Sequence, residues 1–387
     1  MTVLIIPSWY RSGGVAQLGA FFREQALALK KHDINVIVAD ATLQGRDNLF
    51  SKNMFRMRKF DDEGLTTYSY ITPAFGAART KSGGITRYYR NLRKIIKRIE
   101  KDNVKIDLIH AHASFPAGYA ATKIANEKGI PVVVTEHSGG IISKSIGEEK
   151  IRLLKETVEK ADEFICVSEG LKKSVISQTG TEKNLKVIPN MVSEFFFPSE
   201  NRDGDSFTYV SIGNLIKSKR FDLTLTAFAN AFSNDKSIKL TIIGDGYLKN
   251  ELSMLAQDLN IADQVEFTGR LDRLSVAQRL RECDVFVLPS DFETFGVVYI
   301  EALASGLPVI GTRNGGANDI ITEDNGILVD VDNIEQLTNA MKTTHKNIGR
   351  FNKRALSKSC FEKFGEDSIC LKIKNIYESV SLNSKND

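Results

Sequence analysis

Short apolar runs alternate with longer amphipathic stretches along most of the chain. A run of roughly four to eight apolar residues between turn residues predicts a buried strand, and apolar residues spaced three and four apart predict a helix. Strands that alternate with helices are typical of a parallel sheet with crossover helices. The sequence therefore predicts an α/β protein with strands at residues 3–6, 35–39, 108–112, 132–135, 164–168, 185–188, 207–212, 240–243, 265–270, 285–288, 309–310 and 326–329.

A polar, turn-rich segment at residues 199–206 divides the chain. The 387 residues are enough for two α/β domains with full cores. No apolar run approaches the roughly 20 residues that cross a bilayer, and the N-terminal run predicts a first strand and not a signal peptide. Four scattered cysteines without paired spacing argue against a disulfide framework or a zinc site, so we expect a cytoplasmic location.

Positive charge is concentrated in the first half of the chain. Residues 1–200 carry a net charge of +8 and residues 201–387 a net charge of −4, which suggests that the first half meets an anionic partner. The most basic parts are residues 51–59 and a predicted helix at 85–101, whose apolar stripe we expect to cover the sheet. The basic face either is solvated or rests on the anionic inner face of a membrane. No nucleic-acid-binding motif accompanies it, so we expect no nucleic-acid partner.

Glycine and histidine follow several predicted strands at the edge where parallel α/β sheets bind ligands. Gly13 and Gly14 follow the first strand, where they either let a phosphate approach the backbone or form a plain turn. The nicotinamide fingerprint G-x-G-x-x-G is absent there. His110 and His112 end the third strand, on the same side of it, and His137 follows the next strand. Because no third metal ligand is evident, we expect no metal site, and we expect His110 and His112 to be structural or acceptor-side residues.

One strand–loop–helix unit, beginning at residue 285, holds two carboxylates. Glu293 lies in its loop and Glu301 in its predicted helix. The first amides of this helix, around Phe295, Gly296 and Val297, lack intrahelical acceptors and lie at the positive end of the helix dipole, so they suit an anion such as a diphosphate. An isolated pair of glutamates would be explained as a capping charge and a solvated helix residue, but the surrounding sequence argues for a ligand site.

The sequence around these carboxylates resembles the E-x7-E signature of retaining glycosyltransferase family 4. The resemblance rests on residues 290–296, 301–302, 306–310 and 315–316. Members of that family have the GT-B fold, so the resemblance implies an α/β protein with two facing Rossmann-like, doubly wound domains and a cleft between them. It implies an N-terminal acceptor-side domain at 1–198, a nucleotide-sugar-binding domain at 199–364, and a C-terminal helix at about 365–382 that packs back on the first domain.

The resemblance also implies roles for single residues. In the family one glutamate faces the donor sugar, a second holds the donor ribose, a histidine lies between donor phosphate and acceptor, and a lysine neutralises the departing diphosphate. The matching catalytic residues are Glu293, His137 and Lys219. The matching donor-binding residues are Gly13, Gly14, Asn214, Arg220, Gly244, Arg270, Phe295, Gly296, Val297 and Glu301.

Asn214 departs from the family pattern. The family has Gly-Arg-Leu and then Lys-Gly, whereas here Asn214 stands in the place of that arginine and Arg220 in the place of the second glycine. An asparagine supplies neither a full charge nor a bidentate fork. Either Arg220 or Lys217 compensates, or backbone amides hold more of the pyrophosphate.

The resemblance implies transfer of a hexosyl group from a nucleotide diphosphate sugar, with a UDP-sugar favoured, to a hydroxyl of a glycan or lipid-linked acceptor. The anomeric configuration would be retained, and the product would belong to a cell-surface polysaccharide or glycolipid. No Asp-x-Asp pair ends a strand, so we expect metal-independent transfer without a cofactor. Two alternatives stay open: a non-hydrolysing sugar-nucleotide epimerase of the same fold, and a catalytically silent nucleotide-sugar-binding protein, which Asn214 would favour.

Overall fold

The chain forms two compact units. The structure, a computed structural model, describes residues 1–10, 19–45, 53–74, 83–199 and 206–383. The first unit comprises Met1–Val167, Leu171–Pro189 and Ile369–Asp387, and the second comprises Ser168–Gly170 and Asn190–Ser368. The second unit thus includes residues 190–198, which the sequence analysis assigned to the first domain.

The predicted strands of the first unit lie on the apolar runs of the sequence to within two residues at each end, because parallel strands are buried on both faces. The strands of this unit are β1 (Thr2–Pro7), β2 (Asn35–Asp40), β3 (Leu43–Gln44), β4 (Met57–Asp62), β5 (Leu65–Tyr70), β6 (Thr72–Pro73), β7 (Leu108–His112), β8 (Val132–Glu136), β9 (Glu163–Cys166) and β10 (Leu185–Val187). In the described part of this unit, eight of them form one sheet in the order β10-β9-β8-β7-β1-β2-β5-β4. Its neighbours are parallel except for β4 and β5, which are antiparallel.

The hairpin of β4 and β5 was not predicted from the sequence. Its two-residue loop, Glu63 and Gly64, has φ values of 48° and 96°, as a type I′ turn requires at both central positions. The strand β4 lies at the edge of the sheet and alternates half-buried with exposed charged residues. The apolar signal of a buried strand is therefore missing there.

Helices cover the sheet of the first unit. They are α1 (Ala20–Lys31), α2 (Gly83–Lys101), α3 (Tyr119–Lys128), α4 (Gly139–Ile142), α5 (Glu148–Lys160) and α6 (Glu169–Thr179). The predicted stripe of α2 is buried, with Tyr88, Leu92, Ile95, Ile96 and Ile99 all in the core. The prediction that this stripe packs on the protein is confirmed.

The second unit is a parallel α/β layer structure. Its strands are β11 (Phe207–Ile212), β12 (Ile238–Ile243), β13 (Val265–Gly269), β14 (Val285–Leu288), β15 (Val309–Thr312) and β16 (Gly326–Val329). Among the described residues these six form one parallel sheet in the order β13-β12-β11-β14-β15-β16. Its helices are α7 (Phe221–Phe232), α8 (Lys249–Asp258), α9 (Arg273–Arg281), α10 (Val297–Ala304), α11 (Ile334–Lys346) and α12 (Lys353–Phe364).

A final helix, α13 (Glu366–Asn383), follows α12 after Gly365. From Ile369 onward it belongs to the first unit. Its Tyr377 is fully buried, and the hydroxyl lies 2.6 Å from Nδ1 of His110 at the end of β7. Of the described helices, none is both long and apolar enough to cross a membrane.

Candidate active site

The sheet of the second unit reverses its order between β11 and β14. From β11 the chain continues to β12 on one side, and from β14 to β15 on the other. In open parallel sheets, ligands bind beyond the carboxyl ends of the strands at such a switch point. The segment after β11 carries Lys219 and the segment after β14 carries Glu293. Topology therefore brings these two predicted residues to the edge of the sheet where a ligand is expected.

Glu293 and Lys219 contact each other directly. The Lys219 ammonium nitrogen lies 2.5 Å from Glu293 Oε1, and Ser290 Oγ donates to the same oxygen at 2.9 Å. Glu293 is 8% exposed, and a carboxylate that is this buried needs a cation or several donors to remain charged. The pair places a positive and a negative group side by side at the switch point.

The backbone of Glu293 is fixed by the segment that follows β15. Its N–H donates to Asn314 O at 3.3 Å, and its carbonyl accepts from Gly316 N–H at 3.0 Å. A Cβ on Gly316 would lie 2.6 Å from Phe295 Cα, so only glycine allows this approach. Thr312 Oγ1 adds a hydrogen bond of 2.5 Å to Ser290 O. The loop that carries Glu293 is thus held from two sides.

Helix α10 begins at Val297 and not near Phe295 as predicted. Gly296 precedes it with φ 92°, and a Cβ there would lie 2.5 Å from Tyr299 Cδ2, which explains the glycine. The Phe295 side chain is buried and packs on Phe364, so any role in donor binding falls to its backbone. The amides at the start of α10 remain the predicted anion site.

Glu301 lies in α10 with 3% of its surface exposed. Its Oε1 accepts a hydrogen bond of 2.7 Å from the guanidinium of Arg273, the first residue of α9. That guanidinium also lies 5.6 Å and 5.3 Å from the ring centroids of Phe195 and Phe196. A cation against aromatic faces is stabilised by the ring quadrupoles. Arg273, which the sequence analysis missed, therefore neutralises and orients Glu301, the residue that is predicted to bind the donor ribose.

Arg220 is surrounded by carboxylates. Its guanidinium forms ion pairs with Asp222, Asp291 and Asp332 at 3.2, 3.1 and 2.8 Å. The prediction that it compensates for Asn214 stays a prediction, and these three partners count against it because they already balance its charge. Asn214 and Lys217 are exposed in the same segment.

The remaining predicted donor residues lie in loops after neighbouring strands. Gly244, after β12, has φ 147°, and a Cβ there would lie 1.9 Å from Gly213 O, so the loops after β11 and β12 pack without side chains between them. Arg270, after β13, is exposed. The predicted Gly13 and Gly14 lie outside the described residues.

His137 belongs to the first unit, where it follows β8. Its Nε2 lies 3.2 Å from Nδ1 of His112 at the end of β7. The buried carboxylate of Glu136 holds the loop, since its Oε1 accepts from the N–H groups of His137 and Ser138 at 2.8 and 2.6 Å. Its Oε2 accepts from Ser114 N–H at 2.7 Å. This carboxylate thereby ties the turn that carries His137 to the turn after β7.

His110 uses both ring nitrogens within the protein. Nδ1 pairs with Tyr377 Oη at 2.6 Å and Nε2 with Thr135 Oγ1 at 2.7 Å. Burial, with a smaller contribution from the charge of His137, lowers the pKa of His110 to about 3. Burial likewise holds the pKa of His112 well below its usual value. Both are neutral core residues at neutral pH. Within the described residues no group of side chains is arranged to hold a metal ion.

The sequence analysis missed three residues of this arrangement: Ser290, Arg273 and Glu136. Ser290 lies in the recognised motif, but the sequence analysis assigned no role to it. Arg273 follows Asp272, whose side chain caps α9 by accepting from Ser275 N–H, so the start of a helix was readable there. Nothing in the sequence shows that the side chain of Arg273 reaches Glu301.

Two family models match adjacent parts of the chain. The model for Glycosyltransferase Family 4 matches residues 18–194, and the model for Glycosyl transferases group 1 matches residues 192–355. N-acetyl-alpha-D-glucosaminyl L-malate synthase of Bacillus anthracis is 28% identical over 300 residues, which is 73% of this chain and 77% of that protein.

Solved structures show the same fold. Sucrose-phosphate synthase from Thermosynechococcus elongatus aligns with a TM-score of 0.78 and 19% identity, over 98% of this chain and 99% of that one. Anabaena HepE in complex with UDP and glucose aligns with a TM-score of 0.76 and 18% identity, over 98% and 100%. The chain thus has the GT-B fold, and over residues 18–355 it is similar to glycosyltransferases of family 4 and group 1.

Proposed function

We propose that the protein transfers a hexosyl group from a nucleotide diphosphate sugar, with a UDP-sugar favoured, to a hydroxyl of a glycan or lipid-linked acceptor, with retention of anomeric configuration. The observation that carries this proposal is the pair of Lys219 and Glu293 at the switch point of the second sheet, beside the start of α10. The structure of HepE holds UDP and glucose, which supports a nucleotide sugar as donor.

Charge develops on the diphosphate as the bond to the sugar breaks. The ammonium group of Lys219 and the first amides of α10 supply positive charge for it, and preorganised groups of this kind usually contribute more to catalysis than any other single effect. In this proposal the protein itself supplies that charge, so the transfer needs no metal ion.

Glu293 has a side from which a sugar can bind. Among the described residues, its bonds to Lys219 and Ser290 both use Oε1 and none uses Oε2. We assign Oε2 to a hydroxyl of the donor sugar. Glu301, inside α10, takes the ribose hydroxyls, and a hydrogen bond to a charged group contributes about 1.5–3 kcal/mol.

Two variants test the proposal. Lys219→Met should lower kcat by about 10²–10³, the usual loss of one charge-stabilising donor. Glu293→Gln should also lower kcat, because glutamine removes the negative charge that pairs with Lys219 and that accepts the sugar hydroxyl in this proposal. Lys236→Met is the matched control, because Lys236 also pairs with a carboxylate, Asp263 at 2.8 Å, but lies before β12 at the opposite edge of the sheet. Nucleotide sugars are first screened for protection against thermal unfolding, and turnover is then measured with candidate acceptors, in buffer and in EDTA.

The same assays separate the alternatives. An epimerase would convert the donor without any acceptor, and a silent binding protein would be stabilised by a nucleotide sugar without any turnover. The configuration of the product at the anomeric carbon, read by NMR, decides retention. A full rate in Lys219→Met or Glu293→Gln would contradict the roles assigned here.

We also propose that the acceptor is reached at an anionic membrane surface. The exposed face of α2 carries Arg90, Arg93, Lys94, Lys97, Arg98 and Lys101. Lys94 reaches across to Tyr70 Oη of β5 at 2.9 Å, and Lys59 of β4 reaches Asp102 at 3.3 Å, so the helix and the hairpin share one basic surface. Phe55, before β4, is 62% exposed. An exposed aromatic ring beside cations suits the headgroup region of a bilayer.

A further inference from the structure

Arg220 has a backbone conformation that favours glycine. It lies between a short 3₁₀ turn, Lys217–Lys219, and α7, with φ 52° and ψ 44°. This left-handed region is unfavourable for a residue with a Cβ, whereas glycine adopts it freely. Arg220 also stands where the family pattern has glycine. Strained positions persist when the surrounding structure holds them in place, so the contacts of the arginine side chain are of interest.

The guanidinium of Arg220 is bonded to carboxylates through all three of its nitrogens. Nε donates to both carboxylate oxygens of Asp222, at 3.2 and 3.3 Å, and Nη1 donates to Asp291 Oδ1 at 3.1 Å. Nη2 donates to Asp222 Oδ2 at 3.3 Å and pairs with Asp332 Oδ1 at 2.8 Å. The planar fork of an arginine suits such a set of partners, and the point charge of a lysine does not.

The three carboxylates belong to different segments of the second unit. Asp222 lies in the first turn of α7, directly after Arg220. Asp291 lies in the loop after β14 that carries Glu293, and Asp332 lies in the turn between β16 and α11. An isolated exposed ion pair contributes little, but several charges in one network contribute more. With 18% of its side chain exposed, Arg220 links the loop after β11 to the loops after β14 and β16.

A backbone hydrogen bond runs beside the ion pair of Arg220 and Asp291. The N–H of Asp291 donates to Ser218 O at 2.9 Å. Lys219, between residues 218 and 220, reaches Glu293 at 2.5 Å. The three contacts join the same two loops side by side. A shift of one loop against the other would therefore break all three together.

The group around Arg220 carries a surplus of negative charge. One guanidinium meets three carboxylates, so one positive and three negative charges leave a formal charge of −2. Such a group repels a diphosphate. The guanidinium would have to leave its partners before it could bind one, so the charges argue for a role within the protein.

We infer that Arg220 is a positioning residue that joins the loop of Lys219 to the loop of Glu293 through its bond to Asp291. The separation of Lys219 and Glu293 is thereby fixed before the donor binds. Reaction rates depend steeply on such geometry, because a displacement of about 1 Å can cost about 10²-fold. The effect on the rate rests on the proposed function, whereas the link between the loops does not.

Amide hydrogen exchange in the full-length protein tests the link without any substrate. Arg220→Gly removes the guanidinium and suits the left-handed backbone, so this variant is expected to fold. The N–H of Asp291 is the reporter, because its acceptor, Ser218 O, lies in the other loop. We expect its exchange to be about tenfold faster or more in Arg220→Gly and in Arg220→Lys.

A second amide provides the control within the same sample. The N–H of Gly244 donates to Gly269 O at 2.9 Å between the ends of β12 and β13, away from Arg220, and its exchange should stay unchanged. Unchanged exchange at Asp291 in a folded Arg220→Gly protein would overturn the inference. Equal acceleration at Asp291 and Gly244 would indicate general loosening of the unit and would contradict a specific link.

Asp291→Ala and Asp222→Ala form a matched pair of variants. Each removes one carboxylate partner of the same guanidinium, but only Asp291 lies in the loop of Glu293. We expect Asp291→Ala to lower kcat about tenfold and Asp222→Ala to leave it within about twofold. Equal losses would contradict the positioning role, because charge balance alone would explain them. Tighter UDP binding in both variants would overturn it, since the released guanidinium would then bind the diphosphate.

Arg220→Lys separates the fork from the charge in turnover. We expect this variant to lose about as much kcat as Arg220→Gly, about tenfold to 10²-fold, because lysine keeps the charge and cannot join the carboxylates. A full rate in Arg220→Lys would contradict the positioning role. If no donor supports turnover in the wild-type protein, the proposed function fails, while the exchange measurement still decides whether Arg220 links the two loops.

Discussion

Glu136 shows how a single buried side chain organises a turn. Both of its oxygens accept from backbone N–H groups, so a glutamine in its place would turn an NH₂ group towards a donor. We expect Glu136→Gln to destabilise the first unit by about 3 kcal/mol, the cost of buried groups left unpaired. Chemical unfolding followed by Trp9 fluorescence measures it, because Trp9 is the only tryptophan of the chain and packs on Phe22.

Glu163 provides the matched control for that variant. Burial raises the pKa of Glu163, and among the described residues its Oε2 is buried without a hydrogen-bond partner. Glu163→Gln should therefore cost little or even stabilise the protein. Similar losses in both variants would show that the amide contacts of Glu136 do not matter.

The pair of Arg273 and Glu301 makes a prediction about the nucleotide. Without the arginine, the buried carboxylate of Glu301 has lost the cation that neutralises it and accepts ribose hydroxyls less well. We expect Arg273→Met to weaken UDP binding by about tenfold, the effect of roughly 1.4 kcal/mol, and to reduce the preference for UDP over 2′-deoxy-UDP. Calorimetry with both nucleotides measures the preference.

The control is an arginine of the same helix. Arg279 pairs with Glu266 and Glu282 and is expected to have no part in donor binding, so Arg279→Met should leave both affinities unchanged. An unchanged ribose preference in Arg273→Met would show that Glu301 does not need this partner.

The resemblance to the family signature assigned Glu293 and Lys219, because each lies in a short ordered motif that directly follows an apolar strand. It could not place Arg273, which lies 28 residues before its partner Glu301 and on another helix. A side-chain contact between separate elements depends on how the helices pack, and no spacing in the sequence encodes it. For the same reason the hydrogen bond between His112 and His137 was not foreseen, although both residues were recognised at strand ends.

At the scale of elements, buried parallel strands were predictable and the edge hairpin was not. The runs that became β11, β14 and β16 are apolar and bounded by turn residues, since both faces of a parallel sheet are covered. The hairpin of β4 and β5 carries charges and hydroxyls on its strands. Its Glu63-Gly64 turn was the readable signal, because glycine after an acidic residue suits positive φ at both positions.

The histidines that end β7 make the stability of the first unit depend on pH. His110 is neutral in the folded state, with a pKa of about 3, but takes up a proton near pH 6.5 when unfolded. Between about pH 6.5 and pH 3 the unfolded state binds more protons than the folded state. The contribution of His110 to the free energy of unfolding is therefore fully present above about pH 6.5 and is lost as the pH falls towards 3. Each such histidine contributes a slope of roughly 1.4 kcal/mol per pH unit.

Unfolding followed by Trp9 fluorescence at pH 7.5 and 5.5 tests this dependence. The wild-type protein should lose stability at the lower pH, and His110→Gln should lose less, since one titrating group is gone. An identical slope in His110→Gln would mean that other groups cause it.

At the scale of the whole molecule, charge is divided unequally between the halves of the chain, +8 against −4. We expect the protein to float with vesicles that contain phosphatidylserine and to be released as salt rises, because the attraction falls off within a Debye length. Reversing Arg90, Lys97 and Lys101 on α2 to glutamate should abolish flotation.

The matched control reverses three exposed lysines of the second unit, Lys342, Lys346 and Lys358, which changes the net charge equally. If both triple variants lose binding to the same extent, total charge and not the surface of α2 is responsible. Binding that is absent, or insensitive to salt, would remove the membrane surface from the proposed function.

The path of the chain through its two units has a consequence for synthesis on the ribosome. Domains generally fold as units, N-terminal first, while the chain emerges, but the first unit here includes Ile369–Asp387. Its earliest strands must therefore wait, with His110 still lacking the Tyr377 hydroxyl, until the entire second unit has been translated. During that interval the nascent chain exposes the surface that α13 later covers. A chaperone that binds exposed apolar surface would therefore act mainly at this stage of synthesis.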